Sequence, residues 1–351
     1  MHNTGQKSME IQPSQIQTHG PKVAVLMPAE VRSRIFTQQV ETALSAFAEP
    51  VFVSDEDLRS GAFADALPDV NAVITGWLSP KLSHLVAPTG GISFVSHAAG
   101  SVKLLAVEDA LCAGHIRVSH SAPEIALAVA EFTLTQILAH LRLHREQDAA
   151  LRGPMSWQDM RKGQLGQLLA AQNVGLVGLG YVGRLVLDRL RPFGCTVSVY
   201  DPFISPEQAE QLGVTLLDLE TLFTRCPVVS LHAANLPATE GMIKRSHLES
   251  MAPGSLLVNT ARAGLLEPGA LVQVLQQGQI FAAIDTFDIE PLPVDDPLRQ
   301  MPNVYLSPHC AGHTRESYIR QGLSAVEEVR RFFAGETLKQ EIHREKAAML
   351  A

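Results

Sequence analysis

Cysteine is scarce in this chain of 351 residues. The four present, Cys112, Cys195, Cys226 and Cys310, stand far apart with no C-x-x-C pair, so the sequence carries no zinc or dithiol motif. Free thiols in a reducing compartment, and no metal site, are the expectation. Positive charge is also in short supply. Lys and Arg number 28 against 36 Asp and Glu, a formal net charge of −8, and a mildly acidic surface gains nothing from phosphate backbones or anionic lipid by long-range attraction. No nucleic-acid or membrane partner is expected. The first 20 residues, rich in Gln, Ser, Thr and His, lack the apolar core of a secretory signal and read as a loose arm. Long hydrophobic runs are missing too. The most apolar stretch, Ile125 to Leu141, is interrupted by Glu131, Thr133, Thr135, Gln136 and His140, which is expected to leave it short of a membrane span. Together these absences predict a cytoplasmic chain.

What is present is a composition able to bury a core: 46% hydrophobic and 18% charged, close to the soluble average. A chain of this length exceeds what one core usually organises, so two domains are expected. Short β-branched runs alternate with helical patterns from Val23 through Val304, the pattern of α/β folds with parallel sheets. In the first part, Lys22 to Met27, Ala72 to Thr75 and Ile92 to Ser96 read as strands and Ser33 to Phe47 as a helix. Ala122 to Arg145 keeps apolar residues on one helical face and reads as a long connector between lobes. A second alternating series follows, with strands at Asn173 to Val177, Thr196 to Tyr200, Val228 to Leu231, Leu256 to Asn259, Ala282 to Ile284 and Val304 to Leu306. Its first helix spans Val182 to Leu190, with Gly194 as a stop. The last helix, Glu316 to Phe333, has no strands left to cover in the second lobe and is expected to return to the first. The predicted architecture is two Rossmann-like parallel-sheet domains with a cleft between them.

Gly178-Leu179-Gly180-Tyr181-Val182-Gly183 follows an apolar strand and opens an apolar helix, the setting that gives G-x-G-x-x-G physical content. Gly178 permits the tight turn, Gly180 lets the backbone approach a pyrophosphate, and Gly183 lets the helix press on the strand. The helix start, with Tyr181 and Val182, offers N–H groups and a positive dipole to the phosphates. Asp201 ends the next strand, 18 residues beyond Gly183, where a carboxylate takes the ribose hydroxyls and repels a 2′-phosphate. NAD is thus the cofactor favoured over NADP. On this basis residues 122–309 form the NAD-binding domain and residues 21–121 with 310–345 the substrate domain, after the arm 1–20.

Three further segments lie at or just past strand ends: Asn259 to Gly264, Asp285 to Pro293, and Ser307 to Gly312. With the glycine turn, in this order, they resemble the D-isomer-specific 2-hydroxyacid dehydrogenase family, and the resemblance covers the chain from Ala98 to Gly312. By that resemblance Arg262, Glu290 and His309 are the catalytic set, and their chemistry suits it. A planar guanidinium can hold a 2-keto acid's carboxylate and polarise its carbonyl. Imidazole can deliver a proton near neutral pH, and a neighbouring carboxylate favours the imidazolium and fixes the ring. The family also implies that Thr260, Ala261 and Asp285 face the nicotinamide and that His232 sits beside the cofactor. Ala99, Gly100 and Ser101 match its small-residue loop, whose N–H groups bind the substrate carboxylate.

Several positions depart from the family pattern. Val102 and Lys103 stand where Asp and Asn are usual, Ala263 where Gly is, Ala233-Ala234 in place of a Pro-containing segment, and Cys310 in place of an aliphatic residue. No reacting group is removed. The resemblance implies an NAD-dependent enzyme interconverting a small 2-keto acid and its D-2-hydroxy acid, similar to glyoxylate and hydroxypyruvate reductases or to phosphoglycerate dehydrogenases, acting as a homodimer. A formate dehydrogenase is disfavoured because it calls for Gln at Glu290. The 42 residues after His309 leave no room for a regulatory domain, which sets aside the long-form phosphoglycerate dehydrogenases. A binding protein that holds peptides in response to the dinucleotide, as a co-repressor does, is the alternative on the same fold.

Overall fold

The computed structural model describes residues 20–345 apart from 65–66, 68, 87–90, 155–156 and 164; the sequence-predicted arm lies, but for Gly20, outside them. Twelve strands among the described residues make two parallel sheets. The first contains β1 (Lys22–Leu26), β2 (Glu49–Phe52), β3 (Val70–Thr75), β4 (Phe94–His97) and β5 (Arg117–His120) in the order β2-β1-β3-β4-β5. The second contains β6 (Asn173–Val177), β7 (Thr196–Tyr200), β8 (Thr215–Leu216), β9 (Val228–Leu231), β10 (Leu256–Asn259), β11 (Phe281–Ile284) and β12 (Val304–Leu306), ordered β12-β11-β10-β9-β6-β7-β8. All pairings are parallel. Strands buried on both faces read as continuous apolar runs, which is why KVAVL and NVGLV carry no polar alternation.

Side chains alternate between faces along each strand. In β1, Ala24 and Leu26 enter one core cluster while Val23 and Val25 enter another on the opposite face. The second sheet is sandwiched likewise, with Val177, Leu231 and Leu257 on one side and Leu176, Val228 and Val258 on the other. The helix Arg315–Phe333 returns to cover the first sheet, burying Tyr318, Ala325, Val326 and Val329 against β1 and β3 residues. Both sheets reverse their winding direction at one point, between β1 and β3 in the first and between β6 and β9 in the second. Crevices at such switch points, beyond the strands' carboxyl ends, are where ligands bind in this class.

Three details differ from the sequence reading. The helix predicted over Ser33 to Phe47 is two, Ala29–Ile35 and Gln38–Ser45, because Thr37 is extended (φ −67, ψ 166) and restarts the turn as an N-cap. The long connector ends at Leu141, since Leu143 adopts a left-handed φ of 52° before a new helix at His144–Arg152. That connector, Ala122–Leu141, is long and apolar enough to cross a membrane by length and composition, which corrects the view that its polar interruptions exclude this. Its apolarity has a partner in the fold, for Ala130, Ile137 and Leu141 pack with Leu187 and Leu190 of the helix Tyr181–Leu190.

Candidate active site

The dinucleotide turn follows β6 at the second sheet's switch point. Gly178 has φ +94, and a Cβ there would stand 2.7 Å from the Ala233 nitrogen. At Gly183 a Cβ would meet the Gly178 carbonyl oxygen at 2.3 Å, whereas at Gly180 it would meet nothing within 4 Å. Two glycines are therefore required by the protein's own packing, and the third faces open space. That opening, at a helix start with unspent N–H donors, suits a pyrophosphate. The Asp201 carboxylate is held at the turn, accepting from the Leu179 N–H at 2.7 Å and the Phe203 N–H at 2.9 Å, and each oxygen keeps a lone pair for a further donor. Tyr181 is exposed and Val182 half-buried.

His232 follows β9 directly against this turn, its Cβ 3.5 Å from where a Gly183 Cβ would lie. Both ring nitrogens are buried without a partner among the described residues, and burial pushes its pKa down to about 3, so the ring is neutral. An unsatisfied buried imidazole beside a glycine cradle fits a bound nucleotide better than an empty cleft. The other expected cofactor residues are placed less simply. Thr260 is buried with its hydroxyl 3.0 Å from that of Thr133 on the long connector. The Ala261 carbonyl accepts from the Arg262 guanidinium at 2.7 Å, and its N–H donates to Asn259 Oδ1 at 3.1 Å. Asn259, given no role from sequence, is fully buried and also donates to the Arg262 carbonyl at 2.9 Å, fixing the turn that presents Arg262.

His309 and Glu290 meet. Nδ1 of His309 lies 2.8 Å from Oε2 of Glu290, with side chains 46% and 38% exposed. The other carboxylate oxygen accepts from the Phe287 N–H at 3.0 Å. Partial burial raises the Glu290 carboxyl, but the bonds from His309 and Phe287 and the charges of His309 and Arg262 outweigh it and hold it below the usual carboxylate range. Arg262 is half-buried; burial lowers its pKa while the Glu290 charge pulls it back up, and it remains a cation. Guanidinium, carboxylate and imidazole thus occupy one electrostatic neighbourhood, with Nε2 of His309 left for other chemistry.

Asp285 is held by the loop that follows β12. Buried at the end of β11, its carboxylate accepts from the Ser307 hydroxyl at 2.6 Å, the Cys310 N–H at 2.9 Å and the Ala311 N–H at 3.0 Å. Those three donors flank His309, which adopts a left-handed φ of 50°. A buried charge clamps the loop that carries the imidazole, a role visible only once β11 and β12 pair.

From the first sheet, Ala99, Gly100 and Ser101 follow β4. Among the described residues their backbone N–H groups donate to no acceptor, while the Gly100 carbonyl faces Nδ1 of His120 at 3.2 Å. Unpaired N–H groups in sequence suit an anion. The His120 ring also meets Tyr181 edge-on, centroids 6.4 Å apart, so the small-residue loop and the dinucleotide turn stand across from one another. A second crossing joins Trp77, after β3, to His313, four residues past His309, with ring centroids 6.1 Å apart.

The model of the D-isomer specific 2-hydroxyacid dehydrogenase NAD-binding domain matches residues 134–311. The chain belongs to this family. NAD is accordingly the cofactor of its second lobe. Among curated proteins it is similar to D-3-phosphoglycerate dehydrogenase of Mycobacterium bovis, 34% identical over 272 residues, which is 77% of this chain and 51% of that protein. The chain spans about half the length of the curated relatives it matches. Solved structures of the same fold include a 2-hydroxyacid dehydrogenase of Ketogulonicigenium vulgare (TM-score 0.76, 22% identity, 92% of this chain and 98% of that one). Another is Rhodotorula graminis D-mandelate dehydrogenase (TM-score 0.78, 23% identity, 92% and 97%).

Proposed function

We propose that the protein reduces a small 2-keto acid to the D-2-hydroxy acid with NADH, and catalyses the reverse oxidation. The observation that carries this reading is the His309–Glu290 pair at 2.8 Å, presented beside Arg262 at the strand ends of an NAD-binding lobe. Gly178, Gly180, Gly183, Asp201 and His232 hold NAD(H), which when bound supplies or takes up the hydride. Arg262 binds the substrate carboxylate and draws electron density toward the carbonyl oxygen, helped by the unpaired N–H groups of Ala99, Gly100 and Ser101. As the carbonyl carbon gains hydride, the π electrons move to oxygen, which takes the proton from Nε2 of His309. Glu290, ionised and bonded to Nδ1, stabilises the imidazolium before transfer and fixes the ring. In oxidation His309 receives that proton as a base. Closure of the two strand-end faces excludes water from the hydride path.

Exposed apolar residues near the long connector, Leu151, Trp157, Leu165 and Leu168, support a homodimer formed through this region. Free, dispersed cysteines and a net charge of −8 suit a cytoplasmic metabolic role without nucleic acid or membrane. The test is Arg262→Ala, with NADH oxidation followed across glyoxylate, hydroxypyruvate, pyruvate, phenylpyruvate and 3-phosphohydroxypyruvate, and NADH binding by fluorescence. Turnover is expected to vanish with binding retained; full activity overturns the clamp. Wild-type protein that binds NADH yet oxidises none of it with the panel would instead favour the dinucleotide-responsive binding protein.

A further inference from the structure

The first sheet has its own switch point, between β1 and β3, and the residue leaving β3 there is Trp77. Its turn is anchored. The Ser79 hydroxyl donates to the Leu26 carbonyl at 2.5 Å and accepts the Gly76 N–H at 2.9 Å, and a Cβ on Gly76 would touch Ile35 at 3.3 Å. Trp77 rests edge-on against buried Tyr318, centroids 5.5 Å apart, and keeps part of its ring surface exposed. Across from it stands exposed His313, on the loop that carries His309 and 5.6 Å from the Tyr318 ring. Burial, together with the positive charges of His309 and Arg34, holds His313 below the ordinary histidine range, so the wall it shares with Trp77 is neutral near pH 7. Arg34, the guanidinium whose charge reaches this loop, is paired with Glu30 at 3.2 Å. The switch-point crevice therefore offers two ring faces beside the acid–base pair.

We propose that Trp77 and His313 form the receptor for the substrate's side chain and select a 2-keto acid carrying an aryl group over small aliphatic or phosphorylated ones. This rests on the 2-keto acid reductase reading above. Aromatic rings pack favourably in edge and offset geometries, and Tyr318 beneath Trp77 fixes the ring's tilt. The measurement is kcat/KM for phenylpyruvate, pyruvate and 3-phosphohydroxypyruvate with NADH, in wild type, Trp77→Ala, Trp77→Phe and His313→Ala. Wild type should prefer phenylpyruvate over both others by about tenfold or more. Trp77→Ala should erase roughly that preference, Trp77→Phe should keep most of it, and His313→Ala, at an exposed position that folding tolerates, should lower it severalfold. Preference for pyruvate or 3-phosphohydroxypyruvate, or a ratio unmoved in His313→Ala and Trp77→Phe even if Trp77→Ala fails to fold, overturns the proposal while leaving the reductase reading standing. No NADH oxidation with any 2-keto acid removes both.

Discussion

Replacing Glu290 with Gln isolates the carboxylate's charge from its shape. The amide keeps the shape, but only its oxygen accepts: it can take one of the two bonds, from Nδ1 of His309 at 2.8 Å or from the Phe287 N–H at 3.0 Å, while its NH2 group faces the other partner. What is lost is the charge-assisted character of the bond. Hydrogen bonds to charged groups contribute roughly 1.5–3 kcal/mol against about 1 for neutral ones. With both side chains more than a third exposed, solvent screening holds the difference to about 0.5–1 kcal/mol. That is roughly a two- to fivefold effect on the step in which the His309 ring gives up its proton. In keto-acid reduction, which consumes the proton, kcat/KM should fall by about two- to fivefold. Because Glu290 is itself held below the ordinary carboxylate range, wild type should show no loss from its protonation until pH falls below that range. Steady-state NADH oxidation by both proteins across about pH 5–9 reads the loss and the acid side. An undiminished kcat/KM in Glu290→Gln would refute the coupling of Glu290 to His309.

Other perturbations address the scaffold. Gly183→Ala places a Cβ 2.3 Å from the Gly178 carbonyl, so NADH affinity measured by fluorescence should fall at least about tenfold, and unchanged affinity would contradict the packing argument. Asp285→Ala strands three donors around the His309 loop; thermal unfolding should show a loss of about 2–4 kcal/mol, and an unaltered midpoint would mean the clamp is dispensable. Burial pushes the pKa values of His97 and His232 down to about 3, beneath the unfolded value of about 6.5. Their contribution is therefore full above about pH 6.5 and falls as pH drops toward 3, by about 1 kcal/mol per pH unit for each. Thermal stability compared at about pH 7 and about pH 5 checks this, and equal values would contradict it.

The central strands were legible because parallel strands covered on both faces are uninterrupted apolar runs. β6, β7, β9, β10 and β12 lie where hydrophobicity alone puts them. β2, β5 and β8 were not legible: EPVF and RVSH carry polar residues at sheet edges, and TL has two. The helix break at Thr37 and the left-handed Leu143 depend on local backbone choices that periodicity averages away. In the site, the glycine turn was readable because its three glycines, the strand before them and the helix after them are contiguous in the chain. The hold of Asp285 on the His309 loop was not, since that loop's position follows from strand pairing, and the turn that Asn259 closes on Arg262 has no motif of its own. The contact of His120 with Tyr181 joins the two lobes and that of Trp77 with His313 joins segments far apart in sequence, and no spacing rule reports them.

The most direct test of a proton-delivering imidazole beside a bound NAD(H) is His309→Gln, assayed for both keto-acid reduction and NADH binding. The account predicts that kcat falls by roughly 10²- to 10⁴-fold while NADH binds as in wild type. Turnover near the wild-type rate would contradict it.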